Sequence, residues 1–410
     1  MTRRGKNSLW FLFISLSLGI LSGGKFLYLI FITLLLLILY SYYSIYKGKK
    51  NLYHFFWVSN RILKVGDSLD LGYKLNNTGI LPIAHAEITC IISKRLGDMR
   101  FPVEYAFLKP LQMINIKKEV ICRHRGYYKV GELHVKIKDF LNLFEEKIVF
   151  NKNIDLIVYP KIHNINSMKL PATEYFGTFR VPYNTHEDYT SIKNMREYVI
   201  GDNVKKIHWK LSARVGRSYV KEYELSANTK VNVFLDAYEA SFIKDISGEV
   251  EEKIVETGAS IINYCLKNSL NTSLSFKSVD KAYIEGRNLH KLEGFLKELI
   301  GFQAKGKIPI HEFLTNESRK LSYGSTLVIL TPKLNENTFQ ILISLRQRKF
   351  NPILILVNDH IDNMVEEKKR EEYIRQKGIE TYRITPKSNI KKVLEVSSWI
   401  LEDKEEAKYY

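Results

Sequence analysis

The sequence predicts two N-terminal transmembrane helices, then an all-β sandwich domain, then a doubly wound α/β domain. Three observations carry this reading. Two apolar runs, Leu9 to Leu21 and Phe26 to Tyr43, follow one another near the start. Short segments of alternating polarity, separated by turn residues, then continue to about residue 155. From about residue 229, apolar strand patterns alternate with helical ones. The 410 residues are 45% hydrophobic and 26% charged, which excludes a disordered polar chain and a fully membrane-embedded transporter. With 62 Lys and Arg against 44 Asp and Glu, the formal charge is +18, which bears on anionic partners and not on fold. Three widely spaced cysteines, Cys90, Cys122 and Cys265, offer no disulfide framework and no paired metal-ligand spacing.

The second apolar run is long enough to cross a hydrocarbon core of about 30 Å as a helix. The first is shorter and carries Ser15, Ser17 and Gly19, so it reads as the other half of a helical hairpin joined by Ser22, Gly23, Gly24 and Lys25. A signal peptide is the competing reading, but no A-x-A-like site follows and a stronger apolar segment begins at once. Arg3, Arg4 and Lys6 flank one end, and Lys47, Lys49 and Lys50 the other. By the positive-inside rule both flanks are cytoplasmic, so both termini and all that follows residue 50 are expected in the cytoplasm, anchored to the membrane. Lipid bilayer contact is expected through residues 9–21 and 26–43. Reduced cysteines suit that compartment. The remaining basic residues are scattered, and no RNP motif, zinc finger or basic zipper occurs, so nucleic-acid binding is not expected.

Residues 51–155 read as the β-sandwich. Leu69 to Leu75, Ala86 to Ser93, Met113 to Cys122 and Leu133 to Ile137 are its strand patterns, separated by turn signals at Gly66-Asp67, Asn76 to Gly79, Gly97-Asp98, Arg125-Gly126 and Gly131. Cys90 and Cys122 are read as buried apolar residues.

Residues 156–228 read as a strand end at Leu156 to Pro160, then a linker with Pro171, Gly177 and Pro182, then a basic segment from Lys193 to Glu224 in which Tyr219 to Tyr223 is a strand pattern. There Arg196, Tyr198, Gly201, Asp202, Ile207, Trp209, Ser212, Ala213 and Arg214 spell R-x-Y-x-x-G-D-x-x-x-x-I-x-W-x-x-S-A-R. This resembles the signature of a bacterial membrane-protein family known as domain of unknown function number fifty-eight. Val158-Tyr159-Pro160 and the run Arg125-Gly126-Tyr127-Tyr128 with Gly131 resemble two further family elements. The family follows the second with D-P-F-G-L-F, where this chain has Asp139-Phe140-Leu141-Asn142-Leu143-Phe144, lacking the proline and the glycine. The resemblance covers nearly the whole chain. It implies a membrane-anchored cytoplasmic protein with a von Willebrand factor A-like domain and association with MoxR-type AAA+ ATPases, and no known reaction.

Glu197, Asp202, His208 and Ser212 are residue types that hydrolases use, but no G-x-S-x-G surrounds Ser212. The favoured reading is structural or docking. Gly201-Asp202 forms a turn whose carboxylate accepts backbone N–H bonds. Arg214 is expected to fork onto an acid such as Asp202 or Glu197, and Trp209 either packs or docks a partner.

Residues 229–403 read as the α/β domain, with a charged tail at 404–410. Its strand patterns are Lys230 to Asp236, Thr272 to Phe276, Thr326 to Leu330, Pro352 to Val357 and Thr381 to Ile384. Its helical patterns are Glu249 to Lys267, Leu289 to Ile300, Phe339 to Arg346, Val365 to Lys377 and Val393 to Leu401. Asp236 ends the first strand, where von Willebrand A domains carry D-x-S-x-S for a hard cation. Here Asp236, Tyr238 and Ala240 occupy those places, and the third strand ends in Thr331-Pro332 instead of an acid, so Asp236 is a degenerate metal-site position and no metal or cofactor is expected. It is read as a turn former or docking carboxylate. Gly301 to Lys307 fits G-x-x-x-x-G-K, but Ile308 supplies no hydroxyl and the motif follows a helix. His85, His124, His134, His163 and His186 show no ligand spacing.

The expected function is a non-enzymatic, membrane-anchored adaptor or scaffold that works with an AAA+ ATPase in envelope protein assembly or remodelling. The alternative is a hydrolase or metal-dependent enzyme built on Asp202, His208, Ser212 and Asp236. Self-association is left open.

Overall fold

The computed structural model describes residues 1–97, 103–170, 186–199, 202, 206–226, 230–358 and 364–395. They form two compact units, Met1–Lys161 and Ile162–Tyr410.

The first unit begins with helices α1 (Arg3–Ser22) and α2 (Lys25–Asn51), which pack together across a turn at Gly23, whose φ of 61° suits glycine. Gly19 lies close against Tyr28 near that turn. Among the described residues only α2 is long and apolar enough to cross a membrane. The expectation of two spans is therefore corrected to one helix that meets the criterion. The physical reason is composition: Arg3, Arg4, Lys6, Ser8, Ser15 and Ser17 lower the hydropathy of α1, although Ser15 hides its hydroxyl on the Leu12 carbonyl.

Among the described residues, eight strands follow in two sheets. Strands β1 (Leu52–Val58), β3 (Ser68–Asn77) and β6 (Met113–Ile121) form one antiparallel sheet in the order β1-β3-β6. The other has the order β2-β8-β7-β4-β5, from β2 (Ile62–Lys64), β4 (Ile83–Ile91), β5 (Glu104–Leu108), β7 (Gly126–Lys138) and β8 (Glu145–Tyr159). Period-two burial drives the pairing. Leu69, Leu71, Tyr73 and Leu75 of β3 face one core with Ile88 of β4, Val135 and Ile137 of β7 and Val158 of β8. Cys90 and Cys122 are buried there, and burial pushes both thiols up to about 11. The expected Gly97-Asp98 turn lies partly outside the described residues.

Two turns of this unit explain residues singled out in the sequence. The Tyr128 hydroxyl donates back to the His124 and Arg125 carbonyls at 2.9 and 3.1 Å, a tyrosine-corner arrangement that closes the entry to β7. Gly131 sits at a register shift of β7 with φ 113°, and a Cβ there would run into the Lys152 carbonyl and the Phe56 ring. Gly131→Ala is expected to cost about 1–3 kcal/mol, read as a lower thermal midpoint of the full chain in detergent. An unchanged midpoint would show that the bulge adapts freely.

Between β7 and β8 the chain turns without the family's glycine. Asn142 takes the left-handed conformation instead, with φ 55°. The buried Asp139 carboxylate accepts the N–H groups of Leu141 (3.0 Å) and Phe144 (2.7 Å). The foot of the helical hairpin meets this turn. The Thr2 N–H donates to the Leu143 carbonyl at 2.9 Å, and Gly48 of α2 lies against Ile83 and Ile137.

In the second unit, strands β9 (His186–Glu197) and β10 (Tyr219–Ser226) form an antiparallel pair, joined through a short helix α3 (Trp209–Val215). The strand patterns at Leu156 to Pro160 and Tyr219 to Tyr223 fall at the end of β8 and in β10, while β9 carries strand into the segment read as linker. Pro171, Gly177 and Pro182 lie outside the described residues.

A six-stranded sheet follows: β11 (Val231–Leu235), β12 (Thr272–Lys277), β13 (Lys281–Gly286), β14 (Thr326–Thr331), β15 (Asn351–Val357) and β16 (Glu380–Ile384). Its order is β13-β12-β11-β14-β15-β16, parallel except for β13. The helices are α4 (Glu249–Lys267), α5 (Leu292–Gly301), α6 (Ile310–Ser318), α7 (Glu336–Gln347), α8 (Met364–Gln376) and α9 (Ile390–Glu395). Strand β13 and helix α6 were not foreseen. The first is exposed on alternate residues and lacks an apolar run; the second follows Pro309, which sets its first turn. Residues 396–401 of the last expected helix and the tail lie outside the described residues. All five residues of β11 and all six of β14 are buried, as expected for strands covered on both faces. Cys265 of α4 is buried, which pushes its thiol up to about 12.

Candidate functional site

Two places in the second unit gather the residues singled out in the sequence. One is the turn and helix between β9 and β10. The other is the carboxyl edge of the six-stranded sheet.

Strand β9 ends at Glu197 and the chain bends at Tyr198, whose N–H donates to the Ser218 carbonyl at 2.8 Å. Arg196, on the last turn of β9, forks onto Asp202: Nη1 to Oδ2 at 2.7 Å and Nη2 to Oδ1 at 2.6 Å. Asp202 Oδ2 also accepts the Val199 N–H at 3.0 Å. The fork therefore belongs to Arg196. Arg214, expected to make it, is exposed on the last turn of α3, while Glu197 pairs with Arg217 at 3.1 Å. The reason is local geometry: Arg196 and Asp202 face each other across one turn, whereas Arg214 is carried away on the helix. Gly201 lies outside the described residues.

The guanidinium of Arg196, then the Val199 N–H, hold the Asp202 carboxyl down at about 2. A depressed carboxyl contributes stability above its unfolded pKa of about 4 and loses it as pH falls toward the folded value. Protection of the Val199 amide against exchange, relative to its intrinsic rate, is therefore expected to hold at pH 5 and to fall between about pH 4 and 2. In Asp202→Asn it should be low throughout. A flat profile in the native chain would show that the fork does not hold the turn.

Helix α3 begins beyond an isolated bridge between Ile207 and Val220. His208 caps it, with Nδ1 accepting the Leu211 N–H at 3.0 Å. Ser212 Oγ accepts the Tyr219 N–H at 2.9 Å. Gly216 ends the helix with φ 75°, its N–H on the Ser212 carbonyl. His208 and Ser212, two of the residues named for a hydrolase, are thus engaged with backbone, and the hydrogen-bond partners of Asp236 lie elsewhere. Trp209 stands on the first turn of α3 with 66% of its surface exposed, and Ala213 and Arg214 are exposed beside it.

At the sheet edge Asp236 is 1% exposed. Its Oδ1 accepts the Tyr238 N–H at 2.9 Å and its Oδ2 the Thr331 hydroxyl at 2.8 Å. Burial pushes this carboxyl up, against the Tyr238, Thr331 and Ser241 hydrogen bonds. It is a turn former, as expected, but too buried to meet a partner as a docking carboxylate. The chemistry also fails the test for a cation site. Ala240 has no side-chain oxygen, the bulky phenol of Tyr238 replaces a short serine hydroxyl, and β14 supplies no second acid. Among the described residues no cluster of three or more His, Cys, Asp or Glu side chains could hold a metal ion.

Beside Asp236 a cavity of about 460 Å³ opens where the strand order reverses between β11 and β14, the usual ligand crevice of such sheets. Ser241, Phe242, Lys333, Asn335, Glu367 and Arg370 are part of its lining. Arg370 pairs with Glu336 at 3.2 Å, and the Leu334 N–H donates to the buried Glu367 at 3.4 Å. Sequence reasoning missed Thr331 as a partner of Asp236 and missed Glu367 and Arg370 altogether. The signal for the latter pair was weak, since both lie in a highly charged helix that reads as a solvated face. The loop from Gly301 to Lys307 lies between α5 and α6, where the Gly306 N–H donates to the Ala237 carbonyl at 2.7 Å; it is not a strand-to-helix phosphate loop.

A profile of the family described as Protein of unknown function DUF58 matches residues 194–298, which include Arg196, Asp202, Trp209, Arg214 and Asp236. The Uncharacterized protein YeaD of Bacillus subtilis (strain 168) is 24% identical over 217 residues, 52% of this chain and 52% of that protein. The match spans about half the length of that relative. Among solved structures, a CARDB domain from Pyrococcus furiosus is similar over 26% of this chain and 91% of its own, at 12% identity and a TM-score of 0.20. The alkylpurine DNA glycosylase AlkC of Pseudomonas fluorescens is similar over 34% of this chain and 41% of its own, at 12% identity and a TM-score of 0.19. A family 123 glycoside hydrolase of Clostridium perfringens is similar over 82% of this chain and 72% of its own, at 8% identity and a TM-score of 0.18. At those scores the three structures carry no inference about fold or activity.

Proposed function

We propose that the chain is a membrane-anchored, non-catalytic adaptor that offers the surface around Trp209 to a protein partner on the cytoplasmic side. The observation that carries this reading is the 66% exposure of Trp209 on a segment where Arg196, Asp202, His208 and Ser212 are engaged within it. An exposed indole flanked by an exposed arginine has the composition of an interface hot spot. The engagement of His208 and Ser212 with backbone N–H groups favours docking over hydrolysis.

In this reading α2 is the membrane anchor, and the end that carries Lys47, Lys49 and Lys50 faces the cytoplasm. The cations Arg3, Arg4 and Lys6 sit at the same end as Lys47, Lys49 and Lys50, which supports that orientation. The order of the six-stranded sheet, with only its third strand antiparallel, supports a von Willebrand A-like assignment with a degenerate metal position at Asp236. The resemblance of the signature suggests an AAA+ ATPase as the partner, acting on envelope proteins.

The test is co-purification from gently solubilised native membranes, with bound proteins identified by mass spectrometry. Recovery of an AAA+ ATPase with the native chain and its loss with Trp209→Ala supports the reading. Equal recovery of every partner with Trp209→Ala and with Arg214→Ala would remove the docking role.

A further inference from the structure

At the foot of the hairpin, five observations converge that adaptor docking does not use. First, the turn between β7 and β8 exposes two apolar side chains, Phe140 at 80% and Leu141 at 39%. Second, the turn is rigid, pinned by Asp139 from within and by Thr2 from α1. Gly5 admits no Cβ, because the Leu143 carbonyl fills its place. Third, its depth is fixed. Phe144 packs edge-on against Tyr42 at 5.7 Å, and Tyr42 is one residue short of the end of the apolar run of α2. Fourth, a cavity of about 680 Å³ lies there, lined by Tyr42, Tyr46, Lys49, Lys50, Phe144 and Glu146 among others. Fifth, the two acids that line it, Glu145 and Glu146, are engaged: Glu146 pairs with Lys49, and Glu145 with Lys136 at 2.9 Å. Among the described residues Lys50 makes no ion pair, and Lys47 stands 5.6 Å from the centre of the Tyr43 ring.

We propose that the Asp139–Phe144 turn dips into the membrane interface and that the adjoining cavity receives the headgroup of an anionic phospholipid. The inference rests on α2 being a membrane anchor and adds a contact that a bare anchor does not need. A rigid turn at the end of the apolar run lies at interfacial depth, where apolar and aromatic side chains leave water and tyrosines are at home. The lysines meet the phosphate, and Phe140 and Leu141 meet the upper acyl chain. Occupancy then fixes the sandwich at one height against the bilayer, where an α2 anchor alone would let it tilt.

The full chain tests this. Its three native cysteines are buried with raised pKa values, so a single introduced cysteine is the reactive one. Phe140→Cys, Leu141→Cys, Leu36→Cys and Ile80→Cys are labelled with an environment-sensitive fluorophore. Each is reconstituted in phosphatidylglycerol–phosphatidylcholine vesicles with brominated acyl chains. Leu36 is mid-helix in α2, and Ile80 is 84% exposed on the β3–β4 turn. Labels at 36, 140 and 141 are expected to be quenched by bromolipid and spared by iodide, with the reverse at 80. Quenching at 36 with iodide access at both 140 and 141 overturns this inference and leaves the anchor. Iodide access at 36 as well removes both.

For the headgroup, the full chain is released from mixed vesicles into native mass spectrometry. Phosphatidylglycerol is expected to be retained over phosphatidylcholine, with a preference that falls about fivefold in Lys50→Gln. Equal retention of the two lipids by the native chain overturns the headgroup site.

Discussion

Thr331→Val is expected to destabilise the α/β unit by about 1.5–3 kcal/mol, the range for a lost hydrogen bond to a charged group. The exchange conserves shape, since valine replaces a hydroxyl by a methyl group. What it removes is the donor to Asp236 Oδ2, 2.8 Å away in a site where the carboxylate is 1% exposed. A hydrogen bond lost by a carboxylate in so buried a position costs more than one lost at the surface. Asp236→Asn should be milder. Its Oδ1 still accepts the Tyr238 N–H, its new NH₂ can donate to Thr331 Oγ1, and that hydroxyl then donates to the Lys333 carbonyl, 3.1 Å away.

The pH dependence separates the two variants. Burial raises the Asp236 carboxyl above its unfolded value, so the folded state binds the proton more tightly. The stability contributed by protonation is complete below the unfolded pKa of about 4 and is lost as pH rises through the folded value. Thr331→Val removes a bond to the charged form and should raise that value further, extending the loss to higher pH. Asp236→Asn should abolish the slope. Thermal unfolding of the full chain across pH checks both, and identical slopes in all three proteins would show that Asp236 stays ionised at no cost.

Trp209→Ala is expected to leave the thermal midpoint within the range of ordinary surface substitutions, about 0.5 kcal/mol. It should nevertheless lower partner recovery by about thirtyfold, which corresponds to a hot spot of about 2 kcal/mol. The separation is possible because the indole is mostly in water and the helix beneath it is held by other groups: the His208 cap, the Gly216 stop and the Ser212 bond to Tyr219. Arg196→Ala, by contrast, should lose recovery through the turn itself, together with the protection of the Val199 amide. A Trp209→Ala chain that loses its midpoint as well as its partner would show that the indole is structural.

The legible elements were those whose burial follows a simple period. The alternation in β3 and the apolar runs of β11, β14 and β15 announce their layers directly, because each side chain's fate follows from strand geometry alone. The long amphipathic α4 did the same. Strand β13 was hidden because an edge strand with exposed alternate residues carries little apolar signal. The three-residue β2 was hidden because a strand so short has no period at all. The D-F-L-N-L-F turn lacks its family's glycine, and only the backbone shows Asn142 taking over the left-handed position.

By itself the sequence determined an apolar helix at the start, a β-rich region, an alternating α/β region and the position of the signature around Trp209, since these depend on local composition and period. Tertiary structure decided the partners: that Arg196 and not Arg214 holds Asp202, that Thr331 holds Asp236, and that a turn 140 residues away meets the first residues of α1. Pairings of that kind depend on which side chains the fold brings within about 3 Å. No spacing along the chain encodes that distance.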